Sequence, residues 1–145
     1  MWVKYGVTAG IVAIAFASGI VVGHGTRVEA QAGGRVFELR TYTAPDGKLE
    51  ALKSRFRDHT TRIFERHGMK NVGYWVPADE PKSRNTLIYI LQHESREAAK
   101  KSWAAFAQDP EWKKVAAESQ KDGRLVVENG VVSVYMNAAD FSPIK

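Results

Sequence analysis

A helical stripe that stops at a glycine and passes at once into an aromatic strand constrains this chain more than any other feature. From about Lys48 to His67, Leu49, Leu52, Phe56, His59 and Ile63 recur at spacings of three and four. That spacing draws one buried stripe along an amphipathic helix. Lys53, Arg55, Arg57, Arg62 and Arg66 surround the stripe. Gly68 can take the left-handed conformation that ends a helix, and Met69 can fold back on the last turn. Met69 to Pro77 then reads as a strand, with Val72, Tyr74 and Val76 on one face and Asn71, Gly73 and Trp75 on the other.

The rest of the chain supplies partners for these two elements. Arg35 to Thr43 alternates and is rich in β-formers, which predicts a strand. Phe37 and Leu39 look like its helix-packed side. Val36, Glu38, Arg40 and Tyr42 then take the opposite side. Ala44 to Gly47 is a turn, in which Asp46 is placed to cap the long helix. Thr86 to His93 is apolar on both faces and predicts a strand buried on both. Ser95 is an N-cap candidate for a helix whose inner stripe holds Ala99, Trp103 and Phe106. Asp109-Pro110 restarts the helix, with Asp as cap and Pro at its first position. Trp112, Val115, Ala116 and Ser119 line the buried side of that second piece. After a turn at Asn129-Gly130, Val131 to Met136 is the last strand.

The order is β-α-β-β-α-β, the ferredoxin-like α+β plan. Both helices of such a sandwich cover one sheet face, and the apolar character of the strands calls for a partner on the other. Two sheets meeting face to face make a dimeric α/β barrel. On this reading Glu38, Arg40 and Tyr42 project into the barrel.

The first 30 residues differ from the body. Lys4 gives a positive start, Gly6 to Gly23 carries no charge over 18 residues, and Val28-Glu29-Ala30 has the compact residues of a signal-peptidase site. This is the layout of a secretory signal. The run is also long enough to serve as an uncleaved membrane anchor. Cleavage is the preferred reading, and either places residues 35–143 outside the cytoplasm, as a periplasmic, secreted or membrane-tethered domain. Gln31 to Gly34 is a short linker.

Composition narrows the chemistry. The 145 residues contain no cysteine, which excludes disulfides, thiolate metal sites and a cysteine nucleophile. The formal charge of +5 is mild, and without Lys4, Arg27 and Glu29 of the leader 19 basic residues face 15 acidic ones. No basic groove with stacking aromatics argues for nucleic acid. No two histidines have the local spacing of a metal site, and no glycine loop or nucleophile elbow points to a cofactor or an acyl enzyme.

Glu38-Leu39-Arg40-Thr41-Tyr42, Arg57-Asp58-His59-Thr60, His67-Gly68-Met69 and Val72-Gly73-Tyr74-Trp75 resemble the NIPSNAP family. So do Leu87-Ile88-Tyr89-Ile90-Leu91, Arg96-Glu97-Ala98-Ala99, Asp109-Pro110-Glu111-Trp112 and Asp140-Phe141-Ser142-Pro143. The likeness covers about residues 35–143. It implies membership of the dimeric α/β-barrel group, which includes cofactor-independent monooxygenases, haem enzymes and non-catalytic binders. The NIPSNAP branch has no agreed reaction, so the resemblance implies no catalytic residue and no cofactor.

The candidate ligand-binding residues are Glu38, Arg40, Tyr42, His59, Trp75 and Tyr89. Glu38 and Arg40 either orient an anionic or carbonyl-bearing ligand or close the cavity as a structural ion pair. His59 is either a satisfied core residue or a base. Trp75 and Tyr89 offer aromatic walls for a small ligand. The expectation is therefore an exported, homodimeric NIPSNAP-like domain that binds a small molecule or a protein partner. The alternative is a cofactor-independent monooxygenase-like enzyme.

Overall fold

Val36 to Thr43 forms the first strand, β1 (Val36–Thr43), at the centre of a sheet with β2 (Lys70–Trp75), β3 (Thr86–His93) and β4 (Val131–Met136). The order is β2-β3-β1-β4, and every neighbouring pair is antiparallel. This computed structural model describes residues 34–145. The expected leader of residues 1–30, and the linker up to Gly33, lie outside the described residues.

One helical rod crosses the sheet as α1 (Leu49–Arg55), a π-helical turn (Phe56–Thr60) and α2 (Thr61–Arg66). After β3 come α3 (Arg96–Gln108) and α4 (Pro110–Ser119). The topology is ferredoxin-like, as the pattern of strands and helices predicts. Leu52, Phe56, Ile63, Phe64 and Phe106 pack on Leu87, Tyr89 and Leu91 to make the core between helices and sheet.

Local chemistry sets the element ends. Gly68 adopts φ +75°, and the Met69 N–H reaches back to the Phe64 carbonyl at 3.0 Å, so the chain leaves the helix straight into β2. Ser95 caps α3 by accepting the Ala98 N–H at 3.0 Å. Asp109 caps α4 by accepting the Glu111 and Trp112 N–H groups at 2.8 and 3.1 Å. The N-cap of α1 differs from expectation. Lys48 holds that position with no side-chain capping bond, its Nζ donating to the Asp122 carbonyl instead, and Asp46 sits in the preceding turn. There the Lys48 N–H bonds the Pro45 carbonyl at 3.0 Å and Gly47 takes φ +71°, so the helix begins too late for the Asp46 carboxylate to reach it.

Two placements correct the sequence reading. First, the β1 faces are exchanged. Tyr42 meets Phe56 of the helical rod, and Glu38 bonds Trp103 of α3, so Glu38, Arg40 and Tyr42 face the helices. Phe37, Leu39 and Thr41 take the open face, where residues 137–144 run beside Phe37 and Ile90. The exchange is possible because the charges of Glu38 and Arg40 find full partners under the helices. Second, His59 is exposed, and Thr60 occupies the buried position. The π turn adds one residue to the helical phase, so a stripe counted at 3.6 residues per turn drifts past Phe56.

Candidate functional site: a polar nest under the helices

Glu38 is 1% exposed and is the hub of the helix-covered face. Its Oε2 accepts the indole Nε1–H of Trp103 at 2.7 Å and lies 2.9 Å from Nε2 of His93. Its Oε1 accepts the Ser133 hydroxyl at 2.6 Å and an Arg40 N–H at 2.8 Å. Burial alone would raise the carboxyl pKa. The bonds from His93, Ser133 and Trp103, with the charge of Arg40, outweigh it and lower it to about 2. Glu38 is therefore a fixed anion whose oxygens are occupied.

The register explains the convergence. Glu38 stands opposite Leu91 on β3 and Tyr135 on β4, which sets His93 and Ser133 one step along the same face. Trp103 reaches down from α3. Arg40 then lies over the Trp103 ring, 4.2 Å from its centroid, and 5.7 Å from that of Tyr42. Stacking of a guanidinium on an indole fixes its plane while leaving its edges free to donate.

Beyond Arg40 the nest is aromatic. Tyr89 is fully buried, with its ring centroid 5.4 Å from Tyr42, 5.1 Å from Phe56 and 5.3 Å from Tyr74. Burial pushes the Tyr89 phenol well above its ordinary pKa, so its hydroxyl keeps its proton. Burial, in the first place, pushes the Tyr74 phenol above its ordinary pKa, and its hydroxyl donates to Asn71 Oδ1 at 2.5 Å.

Among the described residues, four buried side-chain polar atoms have no hydrogen-bond partner in the protein: Arg40 Nε, Arg55 Nε, Tyr89 Oη and His93 Nδ1. All four belong to this nest or adjoin it. Buried polar groups are almost always paired, so these four are exceptions: the two arginine Nε–H groups and the Tyr89 hydroxyl are donors, and His93 Nδ1 is an acceptor when its Nε2–H donates to Glu38.

The structure brings Glu38, Arg40, Tyr42 and Tyr89 together and leaves out two other candidates. Trp75 is 50% exposed on the open sheet face. His59 lines a groove between the helical rod and α4. His93, Trp103, Ser133 and Arg55 were not singled out as ligand residues. His93 and Ser133 share strand parity with Tyr89 and Tyr135, so the signal for them was the alternation itself. The inward turn of Arg55 has no such signal, because it sits at the edge of the π turn. No group of three or more metal-ligating side chains occurs among the described residues.

The sheet order and the helices gathered on one face define an α+β, ferredoxin-like sandwich. The NIPSNAP family model matches residues 37–143, so the chain belongs to the NIPSNAP family. A NIPSNAP family protein of unknown function from Agrobacterium tumefaciens is 24% identical, with a TM-score of 0.64 over 79% of this chain and 96% of that one. A NIPSNAP-like domain protein from Burkholderia xenovorans is 18% identical, with a TM-score of 0.65 over 77% of this chain and 90% of that one. SnoaB of Streptomyces nogalater, a cofactor-independent oxygenase, is 15% identical, with a TM-score of 0.50 over 76% and 98% of the two chains. Among curated proteins none matches. These likenesses concern fold.

Proposed function

We propose that this chain is a homodimeric binding domain that holds a small polar ligand in the nest beneath its helices and acts outside the cytoplasm. The cluster of unpaired donors around Arg40 and Tyr89 carries the reading. A neutral Tyr89 hydroxyl and the free Nε edge of Arg40 both donate, so the ligand they suit is rich in acceptors, such as a carbonyl or carboxylate. Glu38 supports the role by position: it locks Arg40 and lends the site no spare base.

The oxygenase-type alternative has less support. Its candidate bases are Glu38, which is saturated by donors and held near pH 2, and His59, which is exposed away from the nest. The homodimer is supported by the open sheet face. On β1, β3 and β4 this face presents Phe37, Leu39, Ile88, Ile90, Val132 and Val134 with no charged side chain, and Val132 and Val134 are 58% and 48% exposed. Residues 137–144 lie beside Phe37 and Ile90, and the exposed apolar strip at Val132 and Val134 fits a second copy of itself. The export address rests on the uncharged run from Gly6 to Gly23. Among the described residues no helix is long and apolar enough to cross a membrane.

Native mass spectrometry of the chain purified without refolding tests the reading. The expected species is a dimer with additional small-molecule mass that disappears in Arg40→Gln. A ligand-free dimer, and no thermal shift from a library of small carbonyl compounds and carboxylates, would refute ligand binding. A monomer would refute the paired sheets.

A further inference from the structure

Arg55 is the buried charge that the nest does not explain. The residue is 7% exposed, and among the described residues no carboxylate pairs with it. Its Nε is shut away from solvent without an acceptor. Its guanidinium lies 5.2 Å from the centroid of Trp112 on α4, and its nearest polar influences are the Tyr42 and Tyr89 phenols. Other arginines at helix contacts behave differently: Arg40 is paired with Glu38, Arg62 with Glu111, and Arg66 with both Asp109 and Glu111. Desolvation disfavours the charge of Arg55, and no anion of the protein restores it.

What Arg55 does face is the floor of a groove of about 560 Å³ between the helical rod and α4. Ala51 and Val115 give the groove an apolar wall, and Ser54, Ser119, His59 and Lys114 give it a polar one. Its carboxylates are largely committed: Glu111 to Arg62 and Arg66, and Glu118 to Lys121. Among the lining residues that leaves Asp58 as the one carboxylate without an ion pair, beside the unpaired Arg55 and Lys114. The π turn begins at the residue after Arg55. The Thr60 hydroxyl donates to the Arg55 carbonyl at 3.1 Å, and the Thr61 N–H bonds the Phe56 carbonyl, so the extra residue is built in and satisfied. Insertions of this kind are rare and concentrate at functional sites.

We infer that Arg55 is the anion hook of this groove and that its ligand is a small organic carboxylate. The terminal nitrogens of the Arg55 guanidinium take the carboxylate end-on, Lys114 adds charge, and the hydrocarbon part lies along Ala51 and Val115. Trp112 holds the guanidinium flat from behind. The inference goes beyond the nest proposed above, since none of Glu38, Arg40, Tyr42 and Tyr89 lines the groove.

The test uses benzoate as the probe, on the full chain as its host processes it, at constant ionic strength with chloride as the balancing anion. The arginine Nε–H region of the nitrogen-correlated NMR spectrum is followed, with the Arg55 signal assigned by its loss in Arg55→Lys. A saturable shift of that signal is expected, with binding weakened about tenfold in Arg55→Gln and about twofold in Lys114→Gln. No saturable shift would overturn the inference, as would equal benzoate affinity in Arg55→Gln. Tighter binding of inorganic phosphate than of benzoate would overturn the carboxylate assignment. Arg55→Leu gives a second readout. With no benzoate present it is expected to melt at or above the wild-type temperature, because an unpaired buried charge has been removed. A melting point several degrees lower would make Arg55 a structural residue instead. The two proposals fail separately: the benzoate shift at Arg55 reads the groove and the co-purified mass lost in Arg40→Gln reads the nest, so the absence of either sinks its own proposal and leaves the other standing.

Discussion

The two faces of one sheet solve opposite problems with the same strands. Under the helices β1 turns in Glu38 and Arg40, and a buried carboxylate gathers four donors from β1, β3, β4 and α3. On the open side the same strand presents Phe37, Leu39 and Thr41, beside Val132 and Val134 of β4. The covered face carries a polar nest set inside the main apolar core, whereas the open face is apolar without one and is only partly covered, by residues 137–144 beside Phe37 and Ile90. A buried ion pair is a weak source of stability, because desolvation offsets most of the attraction. On the proposed reading the leftover donors meet a ligand, and the apolar open face meets a second copy.

Removing the hub of the covered face is the most damaging way to break this contrast. Glu38→Ala leaves Arg40 as an unneutralised buried charge and strips three further donors of their acceptor. A loss of about 3–5 kcal/mol is expected in urea unfolding. A loss below about 1 kcal/mol would mean that the nest is solvated and not a true interior. Acid provides a gentler version of the same experiment. The Glu38 carboxyl titrates near 2 in the fold against 4.5 in an ordinary chain. A depressed carboxylate contributes stability that is complete above the unfolded value and is lost as pH falls through the folded one. About 3 kcal/mol is therefore expected to disappear between roughly pH 4.5 and 2. The Glu38→Gln variant is expected to lack that component of the acid transition.

Which parts of this arrangement were legible in the sequence follows from how local each one is. The caps at Gly68, Ser95 and Asp109 were legible because each depends on a few adjacent residues. Strand β3 was legible to its last residue, since a run apolar on both faces fits little else. Alternation correctly grouped Val36, Glu38, Arg40 and Tyr42 on one side of β1, but period alone cannot say which side a helix covers. Hydrophobicity gave the wrong answer there, because the partners that make Glu38 acceptable inside come from Trp103, His93 and Ser133, 65, 55 and 95 residues away. His59 was misplaced for a different reason. A π turn shifts the helical phase by one residue, and nothing in Phe56 to Thr60 announces it until the Thr60 hydroxyl is seen bonding the Arg55 carbonyl.

A smaller perturbation asks whether the helix must sit squarely over the nest. In Gly68→Val the new side chain would find room, since the nearest atom to its Cβ position is Ser102 Oγ at 3.8 Å. The cost is then conformational, from forcing a β-branched residue into φ +75°, and about 1–2 kcal/mol is expected in thermal or urea unfolding. An unchanged melting point would show that α2 ends by another route.

The smallest effect on protomer stability is expected on the bare face, and it sharpens the comparison furthest. Val134 is half exposed and stands opposite Leu39 at the middle of the open side. Val134→Lys puts a charge where the protomer alone has no reason to object, so its own fold is expected to change by less than about 0.5 kcal/mol. If the face docks on a second copy, the same lysine meets its symmetry mate or an apolar strand. The particle is then expected to fall to half its mass in light scattering at micromolar concentration, with the far-ultraviolet spectrum unchanged. An unaltered dimer would move the interface elsewhere and leave the apolar strands unexplained. A monomer that keeps its nest, with the Arg55 resonance still responding to benzoate, would establish that the two faces work independently: one holds the partner copy, and the other holds the ligand.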